Sequence, residues 1–315
     1  MSEKKKIATR EGFGKEIVAL GKENPDILVV DIDIGKSCKT GDFRKELPQQ
    51  YLNVGIAEQN GAGLAAGLAT CGKVPFVVTY AVFGSLRMCE MIRQEICYPH
   101  LNVKIACSHG GVPPANDGAS HQAIEDMGVL RTIPNITVIQ PADYVSARKL
   151  VRAAAETYGP MYLRLSREVY PDLYTEDTRF ELGKGAIVRD GSDVTVIACG
   201  IMVHKALEAA KILEERLISV RVVDMYSIKP IDRELIVKCA EETGAIVCAE
   251  EHNIHGGLGS AVSEVLAYEG CGVPTEFVGI QDTFTESAPY KELLAKYGLD
   301  ADGVIEGIEK VLDRK

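Results

Sequence analysis

The sequence predicts an α/β protein of two domains, each a mostly parallel sheet flanked by helices. Three observations carry that reading. Short runs of apolar, often β-branched residues recur along the chain, as strands buried on both faces do. Segments with helical spacing separate them. Near residues 174–178 the alternation stops, and it then begins again. At 315 residues the chain is long enough for two cores. We place the first domain at residues 1–174, the linker and start of the second at 175–189, and the second domain at 190–315.

In chain order, residues 7–20 have helical spacing and end at Asn24-Pro25-Asp26, and 27–30 is a buried strand. The polar stretch from Asp31 to Ser37 follows, at a strand's C-terminal end, where α/β proteins place ligand loops as well as plain ones. Residues 53–60, Asn-Val-Gly-Ile-Ala-Glu-Gln-Asn, lead into a helix of Gly, Ala and Leu, whose lack of bulk lets another backbone come close. Glu58 there either meets the helix dipole or handles a proton in an apolar site. Strand 75–80 runs into a helix ending near Tyr98, with Tyr80 and Phe83 either core or a flat platform at the junction.

Strand 102–107 ends at Ser108-His109-Gly110-Gly111, and a long Gly- and Pro-rich loop runs to Gln122. Two histidines, His109 and His121, with Asp117 between them, suit an acid/base or substrate-orienting cluster. They lack the third ligand a metal would want. A helix to Leu130, strand 136–139, an Asp143 cap with a helix to about Thr157, and strand 161–165 follow. Arg167, just past that strand, can clamp a phosphate or carboxylate, or make a surface ion pair.

The second unit reads as strand 194–199, a helix to Leu213, strand 220–223, a helix from Asp232 and strand 246–249. A Gly-Gly-x-Gly helix start at residues 256–259, strand 275–278 and two closing helices complete it. The glycines there suit close packing better than a phosphate loop. This half is poor in clustered reactive groups and reads as structural.

Composition narrows the function. Hydrophobic content of 46%, charged content of 25% and a net charge of −10 without a basic stripe suit a soluble protein and disfavour nucleic acid. No apolar run of about 18 residues exists to span a membrane. The lysine-rich start reads as a solvated tail with no signal core, and points to the cytoplasm. Nine scattered cysteines without a C-x-x-C pair suit reduced, buried thiols.

Taken together, the segments around Glu58, Tyr80 to Arg87, His109 to Gln122 and Ser166-Arg167 resemble the transketolases over essentially the whole chain. The likeness is to a pyrimidine-binding domain followed by the small C-terminal domain, and so to the small subunit of a transketolase split into two polypeptides. The resemblance implies thiamin diphosphate as cofactor, with Glu58 on the aminopyrimidine N1′, Tyr80 and Phe83 as ring platform and Asp33 beside it. Leu86 stands where members often carry a third aromatic. It implies His109 and His121 as proton-handling or hydroxyl-binding groups and Asp117 on a sugar hydroxyl. Arg10, Ser37 and Arg167 match phosphate-holding residues, which favours sugar-phosphate substrates. Gly110-Gly111 replaces the Asp-Ser of many members.

The family's Gly-Asp-Gly element, which binds diphosphate through Mg²⁺, does not occur in this chain. The resemblance therefore implies a separate diphosphate-binding N-terminal subunit that holds the Mg²⁺ or Ca²⁺. It implies an α2β2 heterotetramer with shared active sites, the Gly/Ala helix being the expected subunit contact. The nearest other readings are the β-subunit of a 2-oxo acid dehydrogenase E1, a deoxyxylulose-phosphate-synthase-like half, and a non-catalytic scaffold.

Overall fold

The computed structural model describes residues 6–315, so the lysine-rich start lies outside the described residues except for Lys6, which is exposed. The strands are β1 (Lys6–Ala8), β2 (Ile27–Asp31), β3 (Tyr51–Asn53), β4 (Val74–Tyr80), β5 (Lys104–Ser108), β6 (Thr137–Ile139), β7 (Met161–Arg164), β8 (Val169–Pro171), β9 (Ala186–Arg189), β10 (Val194–Ala198), β11 (Val220–Asp224), β12 (Ser227–Lys229), β13 (Ile246–Asn253) and β14 (Thr275–Ile280).

The first sheet has the order β12-β6-β7-β5-β4-β2-β3 and is parallel except where β12 joins β6. The second, β14-β13-β10-β11-β9, is parallel except for β9. Strands β2, β5 and β10 are buried at every position. Burial on both faces selects their unbroken apolar sequences and explains why they were legible. The α/β architecture is as expected.

The helix Tyr144–Glu156 starts on a capping box, Asp143 accepting from the Ser146 N–H while Ser146 Oγ accepts from the Asp143 N–H. It packs on the helix Thr9–Glu23 so closely that a side chain at Gly12 would meet the Tyr144 carbonyl at 2.7 Å. One apolar cluster runs through both halves, joining Met127 and Ile105 to Ile197, Cys248 and Leu258. Among the described residues, no helix is long and apolar enough to cross a membrane.

Two local expectations change, and three short strands are added. Ile7 is not helical: it lies in β1, which pairs antiparallel with β8, and the helix starts at Thr9. The segment after Tyr80 is not one regular helix. It opens into wide turns at Phe83–Arg87 and Ile92–Cys97, where the Met88 N–H bonds back to the Phe83 carbonyl and that of Tyr98 to Arg93. Strands β8, β9 and β12 lie outside the strand segments read from the sequence. The last of these, from the second half, pairs with β6 and completes the edge of the first sheet, just before the cis Lys229–Pro230 bond.

Candidate active site

The loops beyond β2, β4, β5 and β7 converge, since parallel neighbours end on the same edge of the sheet. Glu58 opens the helix Glu58–Thr70 and is buried. Its carboxylate does not cap the helix: it accepts a hydrogen bond from Arg87 Nη1 at 3.1 Å. Arg87 also lies over the Phe83 ring, 4.1 Å from its centroid. The wide turn at Phe83–Arg87 carries both side chains to the mouth of the Glu58 segment.

Asp33 has a positive φ and accepts from Asn53 Nδ2 at 2.9 Å, while Asn53 Oδ1 accepts from the Gly55 N–H. It therefore braces the approach to Glu58 from the flank. Leu86 is more than a third exposed. The rings of Tyr80, Phe83, His109 and His121 form a continuous wall: Tyr80 is 4.3 Å from His109 and 6.2 Å from Phe83, and Phe83 is 5.3 Å from His121.

The charges of Arg10 and Arg167 both act on His109. The β1–β8 pair explains why residues so distant in sequence meet. Thr9 Oγ1 accepts from the Ser166 N–H at 2.7 Å, and the Arg10 N–H donates to the Ser166 carbonyl. Arg10 Nη1 reaches the Ser37 carbonyl at 2.9 Å, so Ser37 joins the cluster through its backbone. Burial, with the charge of Arg167 added, lowers the proton affinity of Arg10. Burial, then Arg10, Arg167 and His121, pushes His109 down to about 3. At neutral pH His109 is an uncharged imidazole, able to donate or accept a hydrogen bond without adding charge. Among the described residues Arg10 Nε and His109 Nδ1 are buried without hydrogen-bond partners. Two guanidinium groups and unused polar atoms at one focus suit an oxyanion.

The loop after β5 is closed at its neck by the Gly111–Ala123 backbone pair, at 2.8 and 3.0 Å. Arg164 lies beneath, fully buried, with a two-oxygen ion pair to Asp126 and a further bond from its Nη2 to the Ala123 carbonyl. The Gly110-Gly111 departure now has a physical reason. A side chain at Gly110 would meet Arg164 at 2.7 Å, and one at Gly111 would meet Glu251 at 2.4 Å with φ +85. Glu251 comes from the second half, is buried, and accepts from Tyr290 Oη at 3.1 Å. Burial pushes its carboxyl up to about 8, despite Arg164.

Asp117 stands exposed on a short turn of the loop, and His121 Nδ1 lies 2.9 Å from Ser120 Oγ. Sequence reasoning missed Arg87, Arg164 and Glu251. Only Arg87 left a signal, as a cation one helical turn past Phe83. A separate open groove of about 1040 Å³ lies beside the site, lined by Lys15, Asp31, Lys36 and Tyr51, and shares Asp33 with it. Neither Glu58 nor a histidine lines it.

Residues 5–172 match the family model of the transketolase pyrimidine-binding domain, and residues 183–304 that of the transketolase C-terminal domain. A putative transketolase C-terminal section of Methanocaldococcus jannaschii is 43% identical over 97% of this chain and 96% of its own length. One of the subunits of an apulose-4-phosphate transketolase from Phocaeicola vulgatus is 42% identical over 95% of each chain. A solved split-gene transketolase, an inactive β4 tetramer, superposes with a TM-score of 0.91 at 54% identity, covering 98% of this chain and 99% of that one.

Proposed function

Because the chain belongs to the transketolase family, matched over both its pyrimidine-binding and its C-terminal domains, we propose that it is the small subunit of a two-polypeptide transketolase, transferring a two-carbon ketol unit between sugar phosphates with thiamin diphosphate. The observation that carries this reading is the pairing of a buried Glu58, joined through Arg87 to the Phe83 ring, with an anion-seeking cluster of Arg10, Arg167 and uncharged His109. The residues present suit the pyrimidine half of that cofactor: a carboxylate for a ring nitrogen, and a flat wall of Tyr80 and Phe83 for the ring.

When bound, the cofactor supplies the carbon nucleophile that carries the ketol unit. Glu58 would hold a proton against the pyrimidine N1′, with Arg87 balancing its charge until the ring is in place. Arg10 and Arg167 would hold the substrate phosphate, a pair of cations worth most where burial excludes water. His109 and His121 would bind substrate hydroxyls and pass their protons, and Asp117 would orient one hydroxyl. Asp33 and Leu86 would border the cofactor, and Ser37 the phosphate.

On this reading the first domain is residues 1–174, the linker and start of the second domain 175–189, and the second domain 190–315. The diphosphate and its Mg²⁺ belong to an N-terminal subunit, the assembly is an α2β2 heterotetramer, and its setting is cytoplasmic pentose-phosphate metabolism. Co-expression with a diphosphate-binding large subunit tests the proposal. The complex, with thiamin diphosphate and Mg²⁺, should convert xylulose 5-phosphate and ribose 5-phosphate, and neither chain should do so alone. Glu58→Gln should lower kcat by roughly 10²–10⁴-fold with assembly intact. Undiminished turnover by that variant would sink the catalytic role of Glu58.

A further inference from the structure

The second half of the chain, expected to be only structural, also reaches residues 115–122 of the substrate loop at two places. Thr285 is buried, and its hydroxyl donates to Gln122 Oε1. Gln122, itself buried, uses its amide nitrogen to reach the Glu286 carbonyl at 3.1 Å and the Ala115 carbonyl of its own loop at 3.5 Å. Ser287 Oγ donates to the Asn116 carbonyl. Each anchored residue is the immediate neighbour of one assigned to substrate: Gln122 follows His121, and Asn116 precedes Asp117.

We propose that Thr285 and Ser287 are positioning residues for the substrate loop, Thr285 setting His121 through Gln122 and Ser287 setting Asp117 through Asn116. The role assigned to those two neighbours rests on the function proposed above. The neck of the loop is already held, by the Gly111–Ala123 pair and by the Asn253 N–H on the Ile124 carbonyl at 2.7 Å. The tip has only a three-residue turn, Ala115–Asp117, and a few bonds of its own. Such a stretch retains many conformers unless outside contacts remove them. Anchors from the second domain supply that constraint. They act one residue away from each functional side chain, so they orient it without blocking it. Removing the Thr285 hydroxyl leaves Gln122 Oε1 buried without its donor, which favours movement of the loop. Displacement of a substrate-binding group by about 1 Å can cost about 10²-fold in rate.

The test compares Thr285→Val, Thr285→Ser and Ser287→Ala in the reconstituted complex by two independent readouts. The first is amide hydrogen exchange across residues 115–122, which reads the loop whatever the reaction proves to be. Thr285→Val should exchange there faster than wild type, while Thr285→Ser keeps the hydroxyl and should match wild type. The second is steady-state kinetics, where kcat/KM for the sugar phosphate should fall about 10- to 100-fold in Thr285→Val. Thiamin diphosphate affinity should hold, and Thr285→Ser should restore the rate. Ser287→Ala, at the exposed end, repeats the test at Asp117 should Thr285→Val fold poorly. Unchanged exchange in both Thr285→Val and Ser287→Ala, or losses that Thr285→Ser fails to rescue, would overturn the inference. A wild-type complex without ketol transfer would instead overturn the assigned function, and hydrogen exchange would still decide whether these residues hold the loop.

Discussion

Replacing Arg10 with Gln tests the anion focus most directly. Arg10 is half-buried, its Nη1 is fixed on the Ser37 carbonyl, and its Nε has no partner among the described residues. A phosphate brought between Arg10 and Arg167 would gain charge-assisted hydrogen bonds, each worth about 1.5–3 kcal/mol. Arg10→Gln removes the charge and one such bond. At 1.4 kcal/mol per factor of ten, KM for a phosphorylated acceptor should rise about 10- to 150-fold. KM for the matching unphosphorylated aldose, which never engages the clamp, should hardly move.

The same change removes one of the cations that suppress His109. The His109 pKa should therefore rise from about 3, yet stay below its ordinary value, because burial is the larger cause. The assay is steady-state kinetics on both acceptors, with an NMR titration of the histidine rings. Equal losses for phosphorylated and unphosphorylated acceptors would refute the clamp. A His109 that titrates as before would refute its electrostatic contact with Arg10.

Other outcomes follow from buried charges away from the focus. Burial opposes ionisation of Asp126, but the charge and hydrogen bonds of Arg164 outweigh it and hold the carboxyl below its usual range. Asp126→Asn strands the Arg164 guanidinium in a fully buried site, and should cost about 3–5 kcal/mol in a urea unfolding series; a loss below about 1 kcal/mol would contradict the pairing. Asp224, under the Tyr174 hydroxyl at 2.7 Å, is pushed up to about 8, chiefly by burial, with Asp143 adding to it. The native state thus keeps a proton that the unfolded chain releases above about pH 4. This contribution is complete at low pH and is lost as pH rises through about 8. Asp224→Asn, neutral at every pH, should flatten the fall in Tm between pH 5 and 8; curves parallel to wild type would disprove it.

The sequence alone determined the alternation of strands and helices, the cap at Asp143, and the order of the candidate site segments along the chain. Apolar runs, glycine turns and N-caps act within a few residues, so a one-dimensional reading captures them. It also marked Glu58, Tyr80, Phe83, His109 and His121, because loops past strand ends carry chemistry in this class of fold. Only the tertiary structure decided what each of them meets. Arg87 on Glu58 spans 29 positions, Arg164 on Asp126 spans 38, and Thr285 on Gln122 spans 163. It alone explained Gly110-Gly111, whose missing side chains leave room for Arg164 and Glu251. No local pattern encodes such pairs. They exist because parallel strands end on one edge and a second domain packs against it, bringing distant residues together within the reach of a side chain.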